Sequence, residues 1–88
     1  MKRSNCYVSS EAVFHLLGGY AYGWCPMNMR HEGSSHWFIR NFYTGMIIDL
    51  TKSQFKTLPD YKKARGRGFL TKQPSKRAKS LMKTLVWQ

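Results

Sequence analysis

The chain has 88 residues, of which 42% are hydrophobic and 15% aromatic, and its formal charge is +11. A disordered chain would lack the aromatics, and no apolar run approaches the ~18 residues of a membrane-crossing helix. The length is that of one domain, residues 1–88, which buries a little over ~60% of its unfolded surface and so leans on every large apolar side chain.

The charge is unevenly placed. Residues 1–50 carry a net +1 and residues 51–88 a net +10. A near-neutral part fit for chemistry is thus joined to a basic part fit to meet an anionic partner. The opening, Met1 to Tyr7, is basic but has no uninterrupted apolar stretch, so it does not read as a signal peptide. A cytoplasmic protein with Cys6 and Cys25 as free thiols is the expectation, with no membrane attachment.

Residues 5–17 are predicted helical. Ser4 or Asn5 can cap the helix, and Glu11 lies in its early half, where a carboxylate suits the helix dipole. Val8, Ala12 and Leu16, and Cys6, Val13 and Leu17, recur at helical spacing. Gly18-Gly19 ends it, because glycine tolerates the left-handed conformation. Residues 20–35 read as irregular, rich in aromatic and sulfur side chains and broken by Pro26, Gly23 and Gly33.

His36 to Phe42 reads as a strand and Met46 to Leu50 as its hairpin partner. Thr51 to Phe55 reads as a short turn of helix capped by Thr51. Residues 56–74 form a basic loop punctuated by proline and glycine. A second helix starts near Ser75, its N-cap, and runs to about Val86. Ala78, Leu81, Met82, Leu85 and Val86 give it an apolar stripe. The order predicts an α+β domain, with an N-terminal helix packed on a small antiparallel sheet and an amphipathic C-terminal helix, both helices covering the sheet.

Cys6, His36 and Asp49 are the candidate chemistry. A cysteine attacks as thiolate, and the first turn of a helix favours negative charge. A histidine at the start of a strand can take the thiol proton, and a carboxylate on the next strand can orient the ring. Hairpin register tests the idea. A four-residue loop, Phe42 to Gly45, pairs residue 41 with 46 and 38 with 49, which puts Asp49 on the face of His36 at a diagonal of roughly 7–8 Å. A three-residue loop turns Asp49 to the other face. A two-residue loop keeps the face but leaves Asp49 roughly 13 Å away.

Asn5-Cys6 opening a helix that ends in Gly18-Gly19, then Gly33-Ser34-Ser35-His36-Trp37, then Ile48-Asp49-Leu50-Thr51 with Gln54-Phe55, resembles the small YunG-type branch of papain-like and transglutaminase-like proteins. The resemblance spans roughly residues 5–55. It implies a papain-like minimal core with Cys6 as nucleophile, His36 as base and Asp49 as orienter. It implies a cysteine hydrolase or acyl-transfer enzyme acting on an amide- or ester-type bond. Asn5 and the Cys6 amide are the nearest oxyanion donors, and Tyr22, Trp24 and Trp37 are candidate cleft walls.

Cys6, Cys25, His15, His31 and His36 show no CxxC or HxxxH spacing, so neither a metal nor another cofactor is expected. Residues 56–88, the basic loop and helix, interleave aromatics with Lys62, Lys63, Arg65, Arg67, Lys76, Arg77 and Lys79. Such mixtures neutralise phosphates and stack bases. Nucleic acid, a nucleotide-like ligand and an acidic protein surface all fit. The alternative to an enzyme is therefore a non-catalytic basic binding protein or inhibitor of viral or mobile-element type.

Overall fold

A computed structural model describes residues 5–52, 55–69 and 72–86, with Asn5 and Val86 by backbone alone. Helix α1 (Asn5–Leu16) leads into a 3-10 turn (Gly19–Tyr22) and strands β1 (Trp24–His31), β2 (Ser34–Asn41) and β3 (Ile47–Ile48). A second 3-10 turn (Tyr61–Lys63), strand β4 (Arg65–Gly66) and helix α2 (Lys76–Val86) follow. The four strands form one antiparallel sheet in the order β3-β2-β1-β4. The expected α+β arrangement is the observed one.

The main departure from expectation is β1. Residues 24–31 are not irregular but form a strand inside the sheet, paired with β2 along its whole length. Trp24, Cys25, Pro26 and Met27 are all buried, so the strand shows no polar alternation to betray it. Pro26 is tolerated for a geometric reason. Its carbonyl accepts the Arg67 N–H at 3.0 Å, so its nitrogen also looks toward β4, and the β1–β2 ladder loses no donor. Glu32 and Gly33, with φ of 50° and 78°, make the tight turn into β2, where two left-handed residues match the strand twist.

The sheet has two covered faces. Ile39 and Trp24 pack with Phe14 of α1, joined by Val13, Ile48 and Phe69. On the other face Cys25, Met27, Met29 and Phe38 pack under Tyr61 and Ala64, so a loop covers this side rather than a helix. Helix α2 lays its stripe on α1 and not on the sheet, with Ala78 fully buried. Helix α1 is therefore covered on two sides. That explains why Ser9, Ser10 and Glu11 are buried while Leu16 and Leu17, expected in its stripe, are exposed.

Glu11 does not serve the dipole of its own helix. Its two carboxylate oxygens accept the Ser75 N–H at 3.0 Å and the Ser75 hydroxyl at 2.9 Å. Ser75 in turn caps α2, accepting the Ala78 N–H at 3.2 Å, as its position predicts. Gly18, at φ 94°, follows α1 as expected. The Ser4 cap lies outside the described residues, as do residues 53 and 54 of the turn expected over Thr51 to Phe55, where the Phe55 N–H donates to the Lys52 carbonyl at 3.2 Å.

Candidate functional site

Asn41 sets the geometry of the site. Its side-chain oxygen accepts the N–H groups of Tyr43 and Thr44 at 2.9 and 3.2 Å, and its amide donates to the Tyr22 carbonyl at 2.9 Å. The Asn41 N–H donates to the Met46 carbonyl at 2.8 Å, closing a four-residue loop. Ile39 then faces Ile48 and Arg40 faces Ile47. This is the register that puts Asp49 on the face of His36.

The two side chains meet. His36 Nε2 and Asp49 Oδ2 are 2.7 Å apart, and the side chains are 0% and 2% exposed. Asp49 has two further partners, of which Tyr61 was not foreseen from the sequence. The Tyr61 hydroxyl donates to Oδ2 at 2.9 Å, and Oδ1 accepts from the Thr51 N–H at 3.3 Å and the Thr51 hydroxyl at 3.5 Å. Tyr61 comes from a loop with no periodic pattern, so only the Pro59-Asp60 turn signal beside it marks the position. Asp60 does cap that turn, accepting the Lys62 N–H. The ring of Phe55 stands edge-on to His36 with centroids 4.7 Å apart.

Cys6 approaches from the other side of β2. Strand β3 ends at Ile48, so the outer edge of β2 near Ser35 has no strand partner there. The start of α1 sits at this edge, and the Cys6 thiol donates to the Ser35 carbonyl at 3.8 Å. The sulfur is close enough to His36 to act on its charge. Nδ1 of His36 is buried without a hydrogen-bond partner, and it is the ring nitrogen that Asp49 leaves open.

The electrostatics follow. Burial alone would push the His36 ring down, but the hydrogen bond to Asp49, the adjoining Cys6 thiol and their charges raise it to about 9. Burial opposes ionisation of Asp49 as well. Hydrogen bonds from His36 and Tyr61, the charge of the ring and the Thr51 N–H nonetheless hold it below the ordinary carboxylate value. Burial and the neighbouring Asp49 push the Tyr61 hydroxyl well above the usual phenol range. Cys25 lies away from the pair and donates to the Pro26 carbonyl at 3.4 Å, and burial pushes its thiol up. Both cysteines are free.

The other candidates are scattered. Asn5 opens α1, and its side chain lies outside the described residues. The expected cleft walls do not surround the ring. Trp24 pairs with Asn41 while His36 pairs with Met29, so Trp24 enters the strand five positions away, roughly 17 Å at strand rise. It packs with Phe14 and Ile39 in the α1-side core. Tyr22 is exposed beside it at the same end of the sheet. Trp37 adjoins His36 in sequence but points to the opposite face, against Tyr7 and Phe69. Lys62 and Lys63 are exposed on the second 3-10 turn, Arg65 and Arg67 are exposed on and just after β4, and Lys76, Arg77 and Lys79 are exposed at the start of α2. Among the described residues there is no group of three or more His, Cys, Asp or Glu placed to hold a metal, and no helix long and apolar enough to cross a membrane. No protein-family model, no curated protein and no solved structure matches this chain.

Proposed function

We propose that this chain is a small papain-like cysteine hydrolase or acyl-transfer enzyme acting on amide- or ester-type bonds, with Cys6, His36 and Asp49 as its reacting set. The observation that carries the reading is the buried 2.7 Å bond from His36 Nε2 to Asp49, which leaves Nδ1 open beside Cys6. Asp49 fixes the tautomer, so the ring presents its second nitrogen to the thiol.

The reaction runs in two halves. The Cys6 sulfur attacks the substrate carbonyl carbon as thiolate, its proton held on Nδ1 of the charged His36 ring. The negative oxygen that forms is held by backbone N–H groups of the first turn of α1, which no helical carbonyl accepts. The intermediate collapses to a thioester, and the leaving group departs with the proton from His36. Water, or a second nucleophile in acyl transfer, then attacks the thioester and frees Cys6 by the same proton path in reverse. Tyr61 and Thr51 position Asp49 and touch no reacting atom. Cys6 is only 2% exposed, so substrate reaches the sulfur when the residues over it open. Free thiols suit a reducing compartment such as the cytoplasm.

An activated ester is the direct probe. The expected result is an initial burst of one acyl group per chain, trapped on Cys6, absent in Cys6→Ser and at least ~100-fold slower in His36→Ala. Turnover that survives Cys6→Ser overturns the reading.

A second property is supported by the exposure of all eight Lys and Arg side chains in residues 62–79. A basic surface of this kind suits an acidic partner, with nucleic acid phosphates the natural match. It is separable from the thiol chemistry by substitution.

A further inference from the structure

The sheet face that carries His36 and Phe38 continues to Arg40, which faces Ile47 on β3. A cleft of about 200 Å³ opens there, lined by Arg40, Gly45, Ile47, Tyr61 and Lys62. Arg40 and Lys62 are both exposed, and neither has an ion-pair partner among the described residues, where the ion pairs are His31–Glu32 and His36–Asp49. Neither nearby carboxylate is paired with them. Asp60 caps the turn that carries Lys62, and both oxygens of Asp49 are engaged by His36, Tyr61 and Thr51. Two cations without an ion-pair partner among the described residues thus line one concave place, which focuses positive potential.

We infer that this cleft is a binding site for the phosphoryl anion of a small molecule, held by Arg40 and Lys62. The guanidinium offers a two-pronged contact to phosphoryl oxygens and the ammonium a point charge. Ile47 and the Tyr61 ring supply an apolar wall for a small organic group. The volume lies below the ~300–1,000 Å³ of sites for drug-sized ligands, so the occupant is compact. A nucleic acid backbone is the poorer fit, because a convex chain of phosphates is met by a spread of cations and not by two at one recess. The site makes no use of Cys6, and it stands or falls apart from the thiol chemistry.

The test is a two-dimensional amide NMR titration of the full chain at constant ionic strength, with inorganic phosphate in one arm and phenyl phosphate in the other. Saturable shifts are expected at the amides of Gly45, Ile47 and Lys62. Arg40→Gln and Lys62→Gln are each expected to weaken binding by about tenfold. Both positions are exposed, so folding is retained, and unchanged spectra elsewhere verify it. Tighter binding of phenyl phosphate supports an ester as the occupant, and equal binding supports free phosphate. Arg65→Gln/Arg67→Gln removes twice the charge of either single variant, from the β4 edge, and is expected to leave the affinity within about twofold. Equal weakening by that pair overturns the site in favour of general attraction. Shifts that never saturate, or a response to an oligonucleotide but to neither phosphate, overturn it as well.

Discussion

His36 and Asp49 are joined by a buried 2.7 Å bond whose existence depends on a third residue, Asn41, on the same strand as His36. Asn41 takes two N–H groups of the loop that follows and thereby fixes the pairing of β2 with β3. A slip of one residue would send Asp49 to the far face of the sheet. Asn41→Ala strands three backbone groups and is expected to cost about 2–3 kcal/mol. It is also expected to lower the His36 pKa, read from its ring proton shifts. A variant that loses stability but keeps the ring at its native value would uncouple the loop from the pair.

The ring of His36 makes stability depend on pH in a defined direction. Its value rises from 6.5 to about 9 on folding, so its contribution is complete below pH 6.5 and is lost as the pH climbs through 9. The size is roughly 3 kcal/mol. Asp49 is lowered on folding, so its contribution is present above 3.8 and fades as the pH falls below that value. Denaturant melts at pH 6, 8 and 10 are expected to show the alkaline loss in the wild type and a much flatter profile in Asp49→Asn.

Tyr61→Phe removes one donor to Asp49 and leaves the ring in place. Its expected cost is about 1 kcal/mol, with the His36–Asp49 pair retained. An ester-hydrolysis rate lowered by less than about tenfold, at unchanged KM, fits a positioning role. A loss as deep as that of His36→Ala would place the hydroxyl among the reacting groups.

The two thiols are expected to differ in reactivity. Cys25 is buried and pushed up, whereas Cys6 stands beside a ring that is charged at neutral pH. Alkylation at pH 7, followed by peptide mass spectrometry, is expected to label Cys6 at least ~10-fold faster than Cys25. His36→Ala abolishes the preference. Equal, slow labelling of both contradicts the assignment of the nucleophile.

Binding of the basic half to single- or double-stranded nucleic acid is expected to weaken with salt, with a log–log slope near −2 to −4 for roughly three to five phosphate contacts. Arg65→Ala/Arg67→Ala, at exposed positions on the β4 edge, is expected to flatten the slope by about one to two. A salt-independent affinity would point to a protein surface as the partner.

The helices, the β2–β3 hairpin and its register were legible because each rests on a local signal. Gly18-Gly19 stops α1, Ser75 starts α2, and the spacing of His36 to Asp49 admits one loop length that brings them together. Strand β1 was not legible. Pro26 and Gly23 read as breakers, and Met27 and Met29 carry no strand preference. What makes it a strand is burial on both faces and a proline nitrogen aimed at a short neighbour. Tyr61 was missed because its role comes from tertiary approach to Asp49, whereas Thr51 is a local partner two residues along the chain. Cys6, His36 and Asp49 were singled out because thiol chemistry restricts the residue types that serve it, and the structure joins His36 to Asp49.

The contact between Glu11 and Ser75 spans 64 residues, longer than any other hydrogen bond described here. Closing so long a loop costs more chain entropy than any other hydrogen bond described among these residues, and that cost comes due before α2 packs. The β1–β2 hairpin closes through a two-residue turn and can form within microseconds. Assembly is therefore ordered: the hairpin forms first, α1 and β3 join it, and α2 docks last. In the reverse direction α2 leaves first, taking with it the Ser75 cap and freeing the Glu11 carboxylate on α1, but none of Cys6, His36 or Asp49. Native-state hydrogen exchange would then find the α2 amides opening well before those of β1 and β2, so that the helix comes away as a separate cooperative unit.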